Sequence, residues 1–313
     1  MTPVHDERLE GLIELQVNGA SGFDLTNDPE SVWQVGTVLR RFGVEAFLPT
    51  LVSPSWAILD RARAAWASGA PEGYQGATPL GWHVEGPFIA PSRAGAHDPA
   101  SLQAPDARIV AGWAPGSGIR MVTLAPELPG ALEVVAALVS NGVVVSAGHS
   151  AATYEQAVIG FDAGIRSVTH LFNAMAPLDH REPGLAGAAL ADERVTIGLI
   201  PDGLHVHPAM VGIVRRAVGP DRLAVVSDAI AALGMPPGAY RLAGRDVSFD
   251  GSSARLPGGG LAGSVIGLDA AVRNLAAFAG VPLADAALAA TVVPARLLVL
   301  AASSAATDTG PPR

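Results

Sequence analysis

Four polar side chains each close an apolar run. Glu85 lies in GWHVEGPFI, His149 in VVVSAGHS, His170 in SVTHLFNAM and Asp228 in LAVVSDAI. One carboxylate and two imidazoles suffice to hold a divalent transition metal with coordination positions left open. Zinc is the first candidate, and iron, cobalt or manganese accept the same donors. Asp228 has no Lys or Arg beside it, which suits a general base acting on water activated by such an ion. Together they predict metal-assisted hydrolysis. Taken singly they have plainer readings: Glu85 as a rim ion pair, each histidine as a half-buried structural residue, Asp228 as a cap. Their recurrence at the ends of apolar runs is what points to one shared site.

Other residues carry less on their own. His205 and His207 in PDGLHVHP share a face if the segment is extended, as a metal pair or as one ligand-facing and one incidental histidine. Asn173 and Arg181 are candidate anion contacts, although Arg181 beside Glu182 reads equally as a surface ion pair. His97, in the small-residue loop AGAHDP, draws no notice by itself.

These residues need strands to carry them. Strand-like runs fall at 12–18, 45–52, 80–85, 120–125, 143–148, 167–171, 195–200 and 223–228. Helices are expected at 30–42, at 54–68 with Ser53 capping and Pro54 in the first turn, at 130–141, at 153–163 from Thr153, and at 208–218 from Pro208. Eight strands with intervening helices is the pattern of a (β/α)8 barrel, whose active site lies at the strand C-termini. A doubly wound open sheet is the structural alternative, and it gathers its ligands at one switch point. Residues 238–262, with alternating apolar positions and Gly-rich turns, read as a small β insertion after the eighth strand. Helices resume at 267–279, 283–290 and 294–301. No repeat or interdomain linker interrupts the chain, so residues 11–302 are expected to form one barrel and 303–313 a disordered tail.

Composition agrees. Of 313 residues, 49% are hydrophobic and 16% charged, as suits a buried parallel sheet wrapped by helices. A net charge of −9 without any basic block argues against nucleic acid but leaves room for a small anionic substrate. There is no cysteine, hence no thiolate ligand or thiol nucleophile. The charged N-terminus lacks the apolar stretch of a signal peptide, and no run reaches membrane-spanning length without polar interruption. The expectation is a cytoplasmic protein with no membrane partner.

The motifs LQVNGASG, HVEGPFI, AGAHDP, AGHSAATYEQA, THLFNAM, REPGLAG, PDGLHVHP, VSDAIAALGMPPGAY and GGGLAGSVIGLDAAVRNL occur in this order. From about residue 12 to about residue 300 the chain resembles the N-acetylglucosamine-6-phosphate deacetylase family of the amidohydrolase superfamily. The resemblance implies deacetylation of N-acetyl-D-glucosamine 6-phosphate. It implies that Glu85, His149 and His170 hold one metal per subunit, that Asp228 is general base and later acid, and that His205 polarises the acetyl carbonyl. His97 would touch a sugar hydroxyl, and Asn173 and the Ala174 backbone the phosphate. Arg181 would reach that phosphate from the other subunit of a homodimer, and His207 would be structural. Many amidohydrolases carry H-x-H on the first strand. Gln16 and Asn18 stand there in this chain, and amides are poor transition-metal ligands, so one tightly bound ion is expected. The family's flanking β-sandwich is expected to be absent or vestigial. The alternatives are another N-acyl or cyclic amide hydrolase of the superfamily, and a barrel that binds amino-sugar phosphates without turnover. The former favours two metals with a bridging carboxylated lysine, and no lysine ends a strand run.

Overall fold

The computed structural model describes residues 9–306. Eight parallel strands pair in chain order: β1 Leu12–Val17, β2 Val44–Val52, β3 Trp82–Glu85, β4 Ile119–Leu124, β5 Val144–Ala147, β6 Ser167–Val168, β7 Thr196–Leu199 and β8 Leu223–Val225. The sheet nearly closes just beyond β1 and β8. There Val17 bridges Ala229 in parallel, Asp228 N–H donates to Gln16 O at 2.9 Å, and Asn18 N–H donates to Ala229 O at 2.7 Å. The architecture is therefore the barrel and not the open doubly wound sheet. β6 is shorter than the predicted 167–171 because the chain leaves the ladder early; His170 has φ 30°.

The helices are α1 Val32–Leu39, α2 Trp56–Ala67, α3 Ala131–Ser140, α4 Tyr154–Asp162, α5 Gly184–Ala191, α6 Pro208–Val218, α7 Leu268–Ala279, α8 Leu283–Ala287 and α9 Val292–Ala306. Thr153 starts α4 in a reciprocal capping box with Gln156, and α6 begins at Pro208 as expected. α2 is capped by Ser55 and not Ser53, because Ser53 is turned toward the barrel mouth. α5 escapes periodicity: GLAGAALA is apolar on every side and has no polar face to mark it. Between β3 and β4 the described chain forms no α-helix. It runs through three single turns that each begin with proline, Pro91–Arg93, Pro99–Ser101 and Pro115–Ser117. α9 extends to Ala306, so residues 303–306 of the expected tail are helical, while 307–313 lie outside the described residues.

The β insertion forms as predicted. β9 Gly238–Leu242, β10 Arg245–Phe249 and β11 Ala254–Arg255 make an antiparallel sheet, whose Leu242, Val247 and Phe249 pack with Val52 and Ile230. Between strands and helices lies the main core, with Phe47, Trp82 and Phe161 fully buried and Trp82 Nε1 donating to Ala62 O at 2.8 Å. Inside the barrel, Leu15, Leu48, Met121, Val144 and Val226 pack against Val293, Leu297 and Leu298 of α9, which plugs the lumen from one end.

The seam between β1 and β8 holds a buried acid. Glu14 sits where the β1 register shifts, and its carboxyl accepts Gln16 N–H at 3.0 Å and Ser227 N–H at 3.0 Å. Burial, assisted by the charge of Asp228, pushes Glu14 up to about 8 from 4.5. Between those values the native state holds a proton that the unfolded chain releases. Stability contributed at this site therefore falls as pH rises through that window. Glu14→Gln should remove the slope: its unfolding midpoint should gain on the wild type between pH 5 and pH 8.5, as followed by urea titration. A difference that stays constant with pH would mean that Glu14 is ionised in the fold.

Candidate active site

The strand ends deliver Glu85, His149 and His170 to one point. Glu85 Oε1 lies 3.1 Å from His149 Nε2 and 3.1 Å from His170 Nε2, and the two nitrogens are 3.1 Å apart. All three residues are buried. Donors of a tetrahedral ion bound at about 2.0–2.1 Å stand about 3.3 Å from one another, so the spacing of the triangle fits such an ion. Protonation agrees as well. His149 Nδ1 donates to Arg93 O at 2.9 Å, which leaves Nε2 with its lone pair facing the cluster. His149 and His170 both adopt positive φ, 49° and 30°, at the turns where their strands end. Gly148 lets β5 reach that turn, since a Cβ there would stand 2.9 Å from side-chain atoms of both Thr123 and Thr169.

Asp228, also at positive φ (50°), lines the same pocket. Burial, then the nearby charge of Glu85, raises its carboxyl to about 6, in the range useful to a general base at neutral pH. The amides at the first strand serve the carboxylates. Gln16 Nε2 donates to Glu85 Oε1 at 3.1 Å, and Asn18 Nδ2 donates to Asp228 Oδ1 at 2.7 Å. The chain contains no lysine, so a bridging carboxylated lysine is excluded.

The pocket, about 240 Å³, is walled by Asn18, Glu85, His97, His149, His170, Asn173, Ala174, His205 and Asp228 among others. His205 gets there from a turn and not from an extended strand. Its Nδ1 donates to Asp202 Oδ2 at 2.6 Å, which fixes the ring, and the Leu204 and His205 amides donate to Asp202 too. Although burial works to raise Asp202, these bonds carry it below its ordinary value. His207 faces solvent and caps α6, its Nδ1 accepting Ala209 N–H at 3.1 Å. His97 is more buried than its loop suggested. Its Nδ1 meets Ser53 Oγ at 2.7 Å, its Nε2 stands 3.9 Å from Glu85 Oε2, and burial holds it neutral, down to about 3. Glu85, His97 and His149 are close enough to form a metal-binding group of their own. Asn173 directs its Nδ2 to His170 O and Leu171 O, tightening its own turn. Arg181 is exposed and lies outside this pocket, in a separate groove with Arg93, Tyr154 and Asp179.

Beneath the pocket runs a belt that the sequence reading did not isolate. Ser146, Thr169, Thr123 and His83 follow one another at 2.7 Å steps, and His83 Nδ1 ends the chain on Leu15 O at 3.1 Å. With Nδ1 donating to that carbonyl, Nε2 accepts from Thr123. Burial keeps His83 neutral, down to about 4. The available signal was alternation: His83 and Glu85 are two apart on one strand and share its inner face.

No protein-family model matches the chain. The chain is 38% identical to the N-acetylgalactosamine-6-phosphate deacetylase of Escherichia coli O157:H7, over 91% of its own length and 76% of that enzyme's. It is 38% identical to human N-acetylglucosamine-6-phosphate deacetylase, over 96% of its length and 76% of the human enzyme's. Among solved structures, a Mycobacterium smegmatis N-acetyl-D-glucosamine-6-phosphate deacetylase variant in complex with N-acetyl-D-glucosamine-6-phosphate superposes with TM-score 0.86 at 36% identity, covering 93% of this chain and 77% of the other. The Thermotoga maritima N-acetylglucosamine-6-phosphate deacetylase superposes with TM-score 0.87 at 31% identity, covering 93% and 79%.

The polar belt makes a stability prediction. Thr123→Val keeps the shape, leaves His83 Nε2 without its partner and takes one of the two hydroxyl partners of Thr169, so the fold should lose about 1–3 kcal/mol. Denaturant unfolding measures this, and a neutral substitution would mean that water replaces the threonine hydroxyl.

Proposed function

The chain belongs to the N-acetylglucosamine-6-phosphate deacetylase family, and from that premise we propose how its barrel mouth works. It is a hydrolase that cleaves the amide of N-acetyl-D-glucosamine 6-phosphate, releasing D-glucosamine 6-phosphate and acetate. The observation that carries this reading is the donor triangle Glu85–His149–His170 facing Asp228 across one pocket. Those three residues hold a single divalent transition metal per subunit, zinc first among candidates, with iron, cobalt and manganese fitting the same donors. When bound, the ion supplies Lewis acidity to the acetyl carbonyl and acidifies water.

The chain's own groups do the rest. Asp228 takes the proton of the attacking water and then passes it to the leaving amine. His205, its ring fixed by Asp202, polarises the acetyl carbonyl as its oxygen gains charge. His97 meets a sugar hydroxyl, and Asn173 and the Ala174 backbone meet the phosphate, holding the amide for attack. Arg181 lines a separate groove and not its own pocket, and it serves as a phosphate contact across a homodimer, from one subunit to the next. Residues 11–302 form the catalytic unit, and the cytoplasm is its compartment.

The relatives include a galactosamine enzyme, so both C4 epimers belong in the assay. Acetate should be released from at least one N-acetylhexosamine 6-phosphate, cease with a chelator and return with zinc, while elemental analysis finds one ion per chain. A protein that releases no acetate when metal-replete overturns the proposal. Asp228→Asn should retain metal and substrate while kcat falls by roughly 10²–10⁴; near-normal turnover would remove Asp228 from the role.

A further inference from the structure

Asn18 follows β1 directly, is 2% exposed and forms part of the pocket wall. Its Nδ2 donates to Asp228 Oδ1 at 2.7 Å. A carboxylate accepts and does not donate, so this contact decides which end of the amide faces Asp228. The other end, Asn18 Oδ1, is buried with no hydrogen-bond partner in the protein. A buried carbonyl oxygen without a donor is unfavourable until something arrives to donate to it. The side chain is not needed to close the barrel. Asn18 N–H already donates to Ala229 O at 2.7 Å, and Asn18 O accepts Leu25 N–H at 2.9 Å.

An N-acetylated amino sugar carries one donor at its scissile bond, the acetamido N–H. The same nitrogen must receive a proton from Asp228 before the C–N bond breaks. We propose that Asn18 orients this nitrogen, its Nδ2 holding one Asp228 oxygen while its Oδ1 accepts the acetamido N–H. With the N–H anchored on Asn18, the lone pair that emerges as the carbonyl carbon becomes tetrahedral turns toward the second Asp228 oxygen. Asn18 thereby matches the site to amides over esters, because an ester has no hydrogen to give it. The inference rests on the deacetylase reading above and adds a substrate contact to it.

The test sets N-acetylglucosamine 6-phosphate against its ester counterpart, 2-O-acetylglucose 6-phosphate. Asn18→Leu is close in volume and removes both contacts. Both substrates then lose the hold on Asp228, and only the amide loses the Oδ1 contact. The kcat/KM of the variant should fall roughly ten- to hundredfold further on the amide than on the ester, with metal content and thermal midpoint kept. Equal losses on the two substrates overturn the proposal and leave Asn18 as support for Asp228 alone. Asn18→Ala gives the same comparison if the leucine variant does not fold. Binding in the Asp228→Asn background gives a reading that needs no turnover: there Asn18→Leu should weaken the amide roughly tenfold and spare the ester, and equal effects again overturn the proposal. A wild-type enzyme that releases no acetate from the amide refutes the deacetylase reading instead, so the two failures are distinct.

Discussion

Three donor atoms within 3.1 Å of one another, one of them a buried carboxylate oxygen, cannot be held by loops alone. Atoms so close crowd one another, and a buried charge seeks either a counter-charge or water. The parallel barrel resists both tendencies. Its strands are registered side by side, so Glu85, His149 and His170 reach their positions from three separate strand ends that packing fixes independently. The backbone accepts left-handed conformations at His149, His170 and Asp228, which unsupported turns would not keep. An ion among these donors would resolve the crowding.

Around that cluster several polar groups have fixed partners. Arg93 O takes the Nδ1 hydrogen of His149, Gln16 steadies Glu85, Asn18 holds Asp228 and Asp202 holds His205. The amides where other amidohydrolases carry H-x-H are not vacant ligand positions. They turn the first strand from a source of metal donors into a source of hydrogen-bond donors for the carboxylates. Beneath them Glu14 joins the two strands that meet at the seam, accepting the amide of Gln16 on one side and of Ser227 on the other. A single uncharged carboxyl thus touches the backbone that carries Gln16 and the residue preceding Asp228.

Much of this was visible in the chain beforehand. Glu85, His149, His170 and Asp228 each close an apolar run, and the rule that barrel sites lie at strand C-termini collects them. Pro208, Thr153 and the Gly-rich 238–262 segment announced their elements because caps and turns are local chemistry. What stayed hidden depends on tertiary placement. Glu14 in LIELQV looks like a solvent-facing alternate until the register shift and the seam bury it. Ser53 looks like a helix cap until the turn at φ 38° aims it at His97. His205 shares a face with His207 only in an extended segment, whereas a turn braced by Asp202 presents it. α5 lacks a polar face, and the segment after β3 runs through proline-led turns that bring His97 inward.

The plug formed by α9 has a consequence for traffic. With the far end of the lumen filled by Val293, Leu297 and Leu298, the described residues leave the strand C-terminal mouth as the way in. Sugar phosphate enters where acetate and amine must depart, so a lingering product blocks the next arrival.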